Sequence, residues 1–240
     1  MFTDIVFYGR TWGEYEDMFG LKTQSLAQSS VLDCPGGPSS FQVHARREHG
    51  VDVVSVDPMY AKSTAELEAL AEKDLNDTLE KMRSKGVAPA EFISQMEAKR
   101  RECMKGFLDH FQSDSGRYVA ASLPALPFED GSFDIVLSGN LSFCYSSSSE
   151  DGLMEEGGLD LDWHRAAVAE LLRVARREVR IYPAFSMTTM MNSFPTVAHH
   201  TYADILMKEL HEGGKYQCEY YDTVADGVAT IGLKITMKSD

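Results

Sequence analysis

The chain has no apolar run near 18 residues, so no membrane span is expected. Its first ten residues carry Asp4 and lack a basic start followed by a long apolar stretch, which argues against a secretory signal. Cysteine is sparse. Residues 34, 103, 144 and 218 are widely spaced with no C-x-x-C pair, a pattern of reduced thiols in a cytoplasm rather than a disulfide frame or zinc knuckle. Positive charge is also short: 23 Lys and Arg face 37 Asp and Glu, a net charge of −14 that repels a phosphate backbone. Nucleic acid is therefore a disfavoured partner. Nothing in the composition speaks to oligomeric state.

What is present is organised as alternating strand and helix signals. Residues 31–58 read as strand, glycine turn, helix and second strand. Val31-Leu32-Asp33 stops at a carboxylate, and Gly36-Gly37 allow positive φ and close backbone approach. Ser39 and Ser40 can cap a helix beginning near Phe41. Residues 51–56 are β-branched enough for a buried strand, and it ends on Asp57. Such a turn is expected to leave backbone N–H groups free, and an acid ending the next strand can accept both hydroxyls of a ribose. A nucleoside-cofactor site is the first reading, and a nicotinamide oxidoreductase fits these residues as well.

Downstream, Leu126-Pro127-Phe128-Glu129-Asp130-Gly131-Ser132-Phe133-Asp134 and the helix ending Glu170-Leu171-Leu172-Arg173-Val174 follow in order, with Val179-Arg180-Ile181-Tyr182 as a fifth strand. These blocks resemble class I S-adenosylmethionine-dependent methyltransferases of the type 11-like kind. The resemblance spans about 150 residues of the 240 and argues against the oxidoreductase. It implies an α/β, Rossmann-like, doubly wound and mostly parallel seven-stranded sheet with an antiparallel C-terminal hairpin. It also implies S-adenosylmethionine as cofactor and a small-molecule acceptor. The cofactor-binding residues it points to are Asp33, Pro35, Gly36, Gly37, Asp57, Pro58, Ser122, Leu123 and Asn140. Asp57 would hold the ribose, and Asp33 either the cofactor's amino group or the turn itself. A cofactor-binding fold relative without catalysis is the alternative function.

The chain departs from that family at three points. Pro35 and Ser39 stand where glycines are usual, and proline brings no N–H. Ser122 replaces an aspartate that often reads the adenine amino group. The Asn/Asp-Pro-Pro-aromatic tetrad of the amino-directed DNA enzymes is missing after strand four, where Ser138-Gly139-Asn140-Leu141 stands.

Other segments yield structural expectations. Residues 10–21 place Tyr15, Met18 and Phe19 at helical spacing, as an N-terminal helix before strand one. Residues 60–113 read as a helical hairpin inserted after strand two, a sheet cover or a substrate lid. Ser63 and Glu66 fit a capping box, Leu67, Ala71, Leu75, Leu79 and Met82 form one stripe, and Phe92, Met96, Cys103, Phe107 and Phe111 the other. The acidic, glycine-rich stretch 146–159 reads as a mobile loop. His164 is expected to be structural, Cys34 a buried inert thiol, and His199-His200 no metal site, because adjacent side chains point apart. No metal and no catalytic base is assigned. All 240 residues are taken as one domain.

Overall fold

The computed structural model describes residues 4–22, 26–86, 88–155, 157–188, 197–225 and 228–238. Seven strands form one sheet: β1 Ser30–Asp33, β2 Asp52–Val56, β3 Tyr118–Val119, β4 Phe133–Gly139, β5 Ala175–Tyr182, β6 Tyr216–Ala225 and β7 Val228–Met237. Their order is β3-β2-β1-β4-β5-β7-β6. The first five strands pair in parallel, and β7 alone is reversed, pairing antiparallel with both β5 and β6. This is the mostly parallel, doubly wound seven-stranded sheet with an antiparallel C-terminal hairpin that the sequence blocks imply.

Alternation along the central strands divides the core into two layers. Val31, Ile135 and Leu137 face a layer with Tyr15, Phe19 and Phe41, while Leu32 and Val136 face Val168, Leu171, Ala203 and Leu206. The first layer is built by α1 (Trp12–Phe19) and α2 (Phe41–His49), the second by α5 (Leu161–Val174) and α6 (Thr201–Glu212). Helix α1 starts in a capping box between Thr11 and Glu14, and Gly20 closes it with φ +56°. Ahead of α2, the Ser39 hydroxyl accepts the Phe41 N–H, whereas Ser40 makes no capping bond from its side chain.

The expected hairpin is present as α3 (Thr64–Lys85) and α4 (Ala90–Ser113), with the Ser63–Glu66 capping box. Met96, Cys103, Phe107 and Phe111 of the expected second stripe are buried or packed on buried residues, and the stripe departs only at its start. Ile93 packs on Leu75 and Leu79, while Phe92 is 38% exposed. The two residues are both apolar neighbours, so periodicity alone did not separate them. Among the described residues, no helix is long and apolar enough to cross a membrane.

The expectation of a free acidic loop is overturned. Ser146 is fully buried, and its hydroxyl lies 2.9 Å from His200 Nε2. Leu153 N–H bonds to the Cys144 carbonyl and Leu159 N–H to that of Tyr145. Asp151 accepts from the hydroxyls of Ser186 and Thr201. Composition suggested a solvated loop; these five hydrogen bonds and a glycine at 152, where a Cβ would lie 2.0 Å from the Ser146 carbonyl oxygen, hold it against the body.

Candidate functional site

Parallel strands deliver β1, β2 and β4 to one edge of the sheet, carboxyl ends together, the edge at which open α/β sheets bind ligands. There a cavity of about 590 Å³ opens. Eight of the nine sequence-predicted residues line it: Pro35, Gly36 and Gly37 after β1, Asp57 and Pro58 after β2, Ser122 and Leu123 after β3, and Asn140 after β4. The opposite wall comes from residues 5–8, Arg10, Leu70, Asp74 and Thr78 of α3, Phe92 and Met96 of α4, and Leu153 and Leu159 of the anchored loop.

Asp33 is the ninth, and it is sealed away from the cavity. Its Oδ1 accepts the Tyr15 hydroxyl at 2.9 Å and its Oδ2 that of Ser55 at 3.3 Å. Burial pushes its carboxyl up to about 8, against the pull of those two hydrogen bonds. Of its two sequence readings, the one in which it organises the turn matches this geometry.

The turn itself corrects an expectation. From Cys34 to Pro38 it offers no free N–H donor. Pro35 and Pro38 have none, the Cys34 N–H bonds to Leu137, and that of Gly36 to the Val56 carbonyl at 2.8 Å. The Gly37 N–H reaches Asp57 Oδ2 at 3.1 Å. Gly36 is required for closeness rather than for donation: a Cβ there would lie 2.5 Å from the Tyr60 hydroxyl and 2.8 Å from Ser55 Cβ. Gly37 has φ +54°, where a side chain would be strained.

Asp57 stands at the cavity wall, 6% exposed. Its Oδ1 accepts the Met59 N–H at 2.9 Å, capping the short turn Pro58–Ala61, and Oδ2 accepts Gly37. Burial raises its carboxyl to about 6, with the two backbone bonds acting the other way. Each oxygen keeps a second lone pair for a ligand. Asn140 has φ +56° and gives its amide to Met18 Sδ at 3.5 Å. Ser122 sits in an isolated bridge with Ala125.

Sequence reasoning missed Arg10, which bears no motif. Its backbone carbonyl accepts the Ser39 hydroxyl and the Ser40 N–H, fixing it over the turn, and its side chain lines the cavity. Its Nε is buried without a hydrogen-bond partner. The nearby Glu14 is gripped by both terminal nitrogens of Arg100, a residue 4% exposed, and Arg10 Nη1 reaches the same carboxylate only at 3.8 Å. Burial acts to raise the Glu14 carboxyl, but the Arg100 bond and charge outweigh it and hold the group at about 2. Two guanidinium groups thus share one carboxylate, leaving a positive charge at the cavity.

Three other residues that the sequence singled out are buried. His164 accepts the Phe143 N–H at Nε2, with Nδ1 against the Asp160 carbonyl, and its pKa is lowered by burial. His200 accepts the Tyr202 N–H at Nδ1, and burial takes its pKa down to about 4. Cys34 is buried, and burial pushes its thiol well up.

No family model matches the chain. A relative, the uncharacterized protein MJ0045 of Methanocaldococcus jannaschii, is 28% identical over 191 residues, covering 77% of this chain and 80% of its own. Among solved structures, the PH0226 protein of Pyrococcus horikoshii OT3 is similar with a TM-score of 0.49 at 11% identity, over 94% of this chain and 90% of that one. The N-methyltransferase NodS of Bradyrhizobium japonicum WM9 gives 0.47 at 9% identity, over 95% and 96%. Magnesium protoporphyrin IX methyltransferase of Synechocystis PCC 6803, with bound S-adenosylmethionine, gives 0.44 at 13% identity, over 90% and 73%.

Proposed function

We propose that this protein is an S-adenosylmethionine-dependent methyltransferase acting on a small-molecule acceptor. The observation that carries the reading is the convergence of Pro35, Gly36, Gly37, Asp57, Pro58, Ser122, Leu123 and Asn140 on one cavity at the carboxyl ends of β1, β2 and β4. The residues fit the cofactor. Asp57 has lone pairs for the ribose hydroxyls, and Ser122 is a neutral partner for the adenine edge. Arg10, with its orphaned Nε, is the cation for the methionine carboxylate, taking the place of the donors the turn has spent. When bound, the cofactor supplies a methyl group made electrophilic by the sulfonium.

The protein's own part is to position an acceptor and keep water out. Leu70, Phe92 and Met96 of the hairpin and Leu153 and Leu159 of the loop furnish an apolar wall, suited to an apolar small molecule. Hairpin and loop together act as the cover of the acceptor side. Among the described residues no histidine lines the cavity, so the acceptor is one whose nucleophile does not depend on an imidazole base. The satisfied turn favours a second reading, a fold relative that binds the cofactor without turning it over.

Calorimetry with S-adenosylhomocysteine, 5′-methylthioadenosine and NAD tests the site. The first two should bind and NAD should not. Arg10→Gln should weaken S-adenosylhomocysteine by about ten- to a hundredfold, the worth of a charge-assisted bond, and leave methylthioadenosine unchanged because it has no carboxylate. Binding of NAD alone would end the reading. Tight cofactor binding with no turnover against any acceptor would select the second one.

A further inference from the structure

The cavity leaves one cluster unexplained, on the far side of α2. His44, Glu48 and His49 bring one imidazole nitrogen or carboxylate oxygen each to within 4.8 Å of one another. His44 Nε2 already meets Glu48 Oε2 at 3.0 Å, with side-chain exposures of 38% and 59%. We propose that these three residues form a binding site for a divalent transition-metal ion of the zinc or copper type.

Three features support it. The first is spacing. His44 and Glu48 are four apart on one helix face, and His49 is the last helical residue before Gly50, whose φ of +63° ends the helix. Ligands at zinc distances in a tetrahedron lie roughly 3.3 Å apart, so the trio must close by about 1.5 Å at its widest, within the reach of side-chain rotation. Water completes the coordination, as in open three-ligand sites.

The second is orientation. Trp12 is stacked on both imidazoles, at 4.5 Å from His49 and 5.5 Å from His44, with interplanar angles of 26° and 25°. Both rings therefore already pack on one indole before any ion arrives. The third is charge. The cluster sits at the carboxyl end of α2, where unpaired carbonyls favour a cation. Two arginines share that turn with the cluster, Arg46 and Arg47, and Arg46 is engaged by Asp114. Imidazole with carboxylate is a donor set that suits zinc, copper and nickel and disfavours calcium and magnesium.

Such an ion would also bear on the fold. Trp12 stacks on Phe41 at 5.3 Å, and Phe41 on Tyr15 at 4.2 Å, so the aromatic column under the metal ends on the residue that covers Asp33. Fixing both imidazoles against Trp12 holds α1 on α2.

The test is calorimetric titration of metal-stripped protein with Zn²⁺, beside Cu²⁺ quenching of tryptophan fluorescence. One Zn²⁺ per chain should bind more tightly than about 100 μM. His44→Gln and His49→Gln should each weaken it by about a hundredfold or more, since losing even an outer-shell partner typically costs 10- to 100-fold. The chain has two tryptophans, Trp12 and Trp163, and quenching at stoichiometric Cu²⁺ should vanish in Trp12→Phe, which leaves all three ligands in place. Binding that survives both histidine substitutions overturns the site, as does quenching that persists in Trp12→Phe. Failure to saturate by about 1 mM does so too. None of these outcomes depends on cofactor binding.

Discussion

Two carboxylates end neighbouring parallel strands, and their sequence contexts are nearly the same. Asp33 follows an apolar run and precedes a turn; so does Asp57. In the fold they part company. Asp57 opens on the cavity with two backbone N–H groups behind it, whereas Asp33 is wholly buried under the Tyr15 hydroxyl. Strand position cannot distinguish them, because what separates them is a side chain from α1, an element earlier in the chain that lies on top of the first acid only. An acid at a strand end is thus a ligand or a brace according to what covers it. Covering has a measurable signature, since burial drives both carboxyls up, Asp33 to about 8 and Asp57 only to about 6.

The widest gap between the two should appear in stability against pH. An unfolded aspartate releases its proton near 3.8, while folded Asp33 keeps its proton up to about 8. Between those values the native state binds the extra proton, so stability is fullest at low pH and falls as pH rises. The slope is about 1.4 kcal/mol per pH unit for one such group. Asp57 adds a loss of the same sign that ends near 6. Asp33→Asn stays neutral and can still accept from Tyr15, so it should flatten the profile between pH 6 and 8. Asp57→Asn should flatten it only below that. Urea unfolding at intervals from pH 5 to 8 reads both, and an Asp33→Asn curve parallel to wild type would break the contrast.

Ligand affinity should show the reverse ranking. Asp57→Ala removes a charged acceptor at the cavity wall and should cost about 1.5–3 kcal/mol in S-adenosylhomocysteine binding, about ten- to a hundredfold. Asp33→Asn, off that wall, should leave the affinity within about threefold. Equal losses in titration calorimetry would mean that the two acids act as one unit.

Much of this architecture was legible beforehand, for reasons that can be named. The mostly parallel seven-stranded sheet with its antiparallel end is what the resemblance carried by the block around Asp130-Gly131-Ser132-Phe133-Asp134 implies, and eight predicted residues do meet at one cavity. Legibility failed where tertiary contacts decide. Whether the turn's N–H groups are free depends on Val56 and Asp57 across the sheet, and both are spoken for. Phe92 and Ile93 are interchangeable to a periodicity argument until α3 selects one. The acidic stretch 146–159 has the composition of a solvated loop, yet His200, 54 residues beyond Ser146, helps to anchor it. Arg10 carries no motif; its role comes from having to share the Glu14 carboxylate with Arg100, which holds it more closely.

The finest test of the comparison is the cover itself. Tyr15→Phe keeps the ring, which stacks on Phe41 at 4.2 Å and 8°, and removes only the hydroxyl that reaches Asp33 Oδ1. At pH 6 Asp33 is protonated and loses one neutral hydrogen bond, so the cost should be about 1 kcal/mol. The Tyr15 bond also favours the charged carboxylate, so its loss moves the Asp33 carboxyl further up. Raising the folded value widens the interval over which the native state holds the extra proton, which makes the variant lose more stability than wild type as the pH climbs past 8. The penalty of Tyr15→Phe should therefore grow from pH 6 to pH 9 in urea unfolding. In the Asp33→Asn background the growth should disappear, because the titrating group is gone. A penalty that stays constant across that range would show that the hydroxyl does not bias the Asp33 carboxyl toward its charged form, and no penalty at any pH would show that Tyr15 covers the first acid through its ring alone.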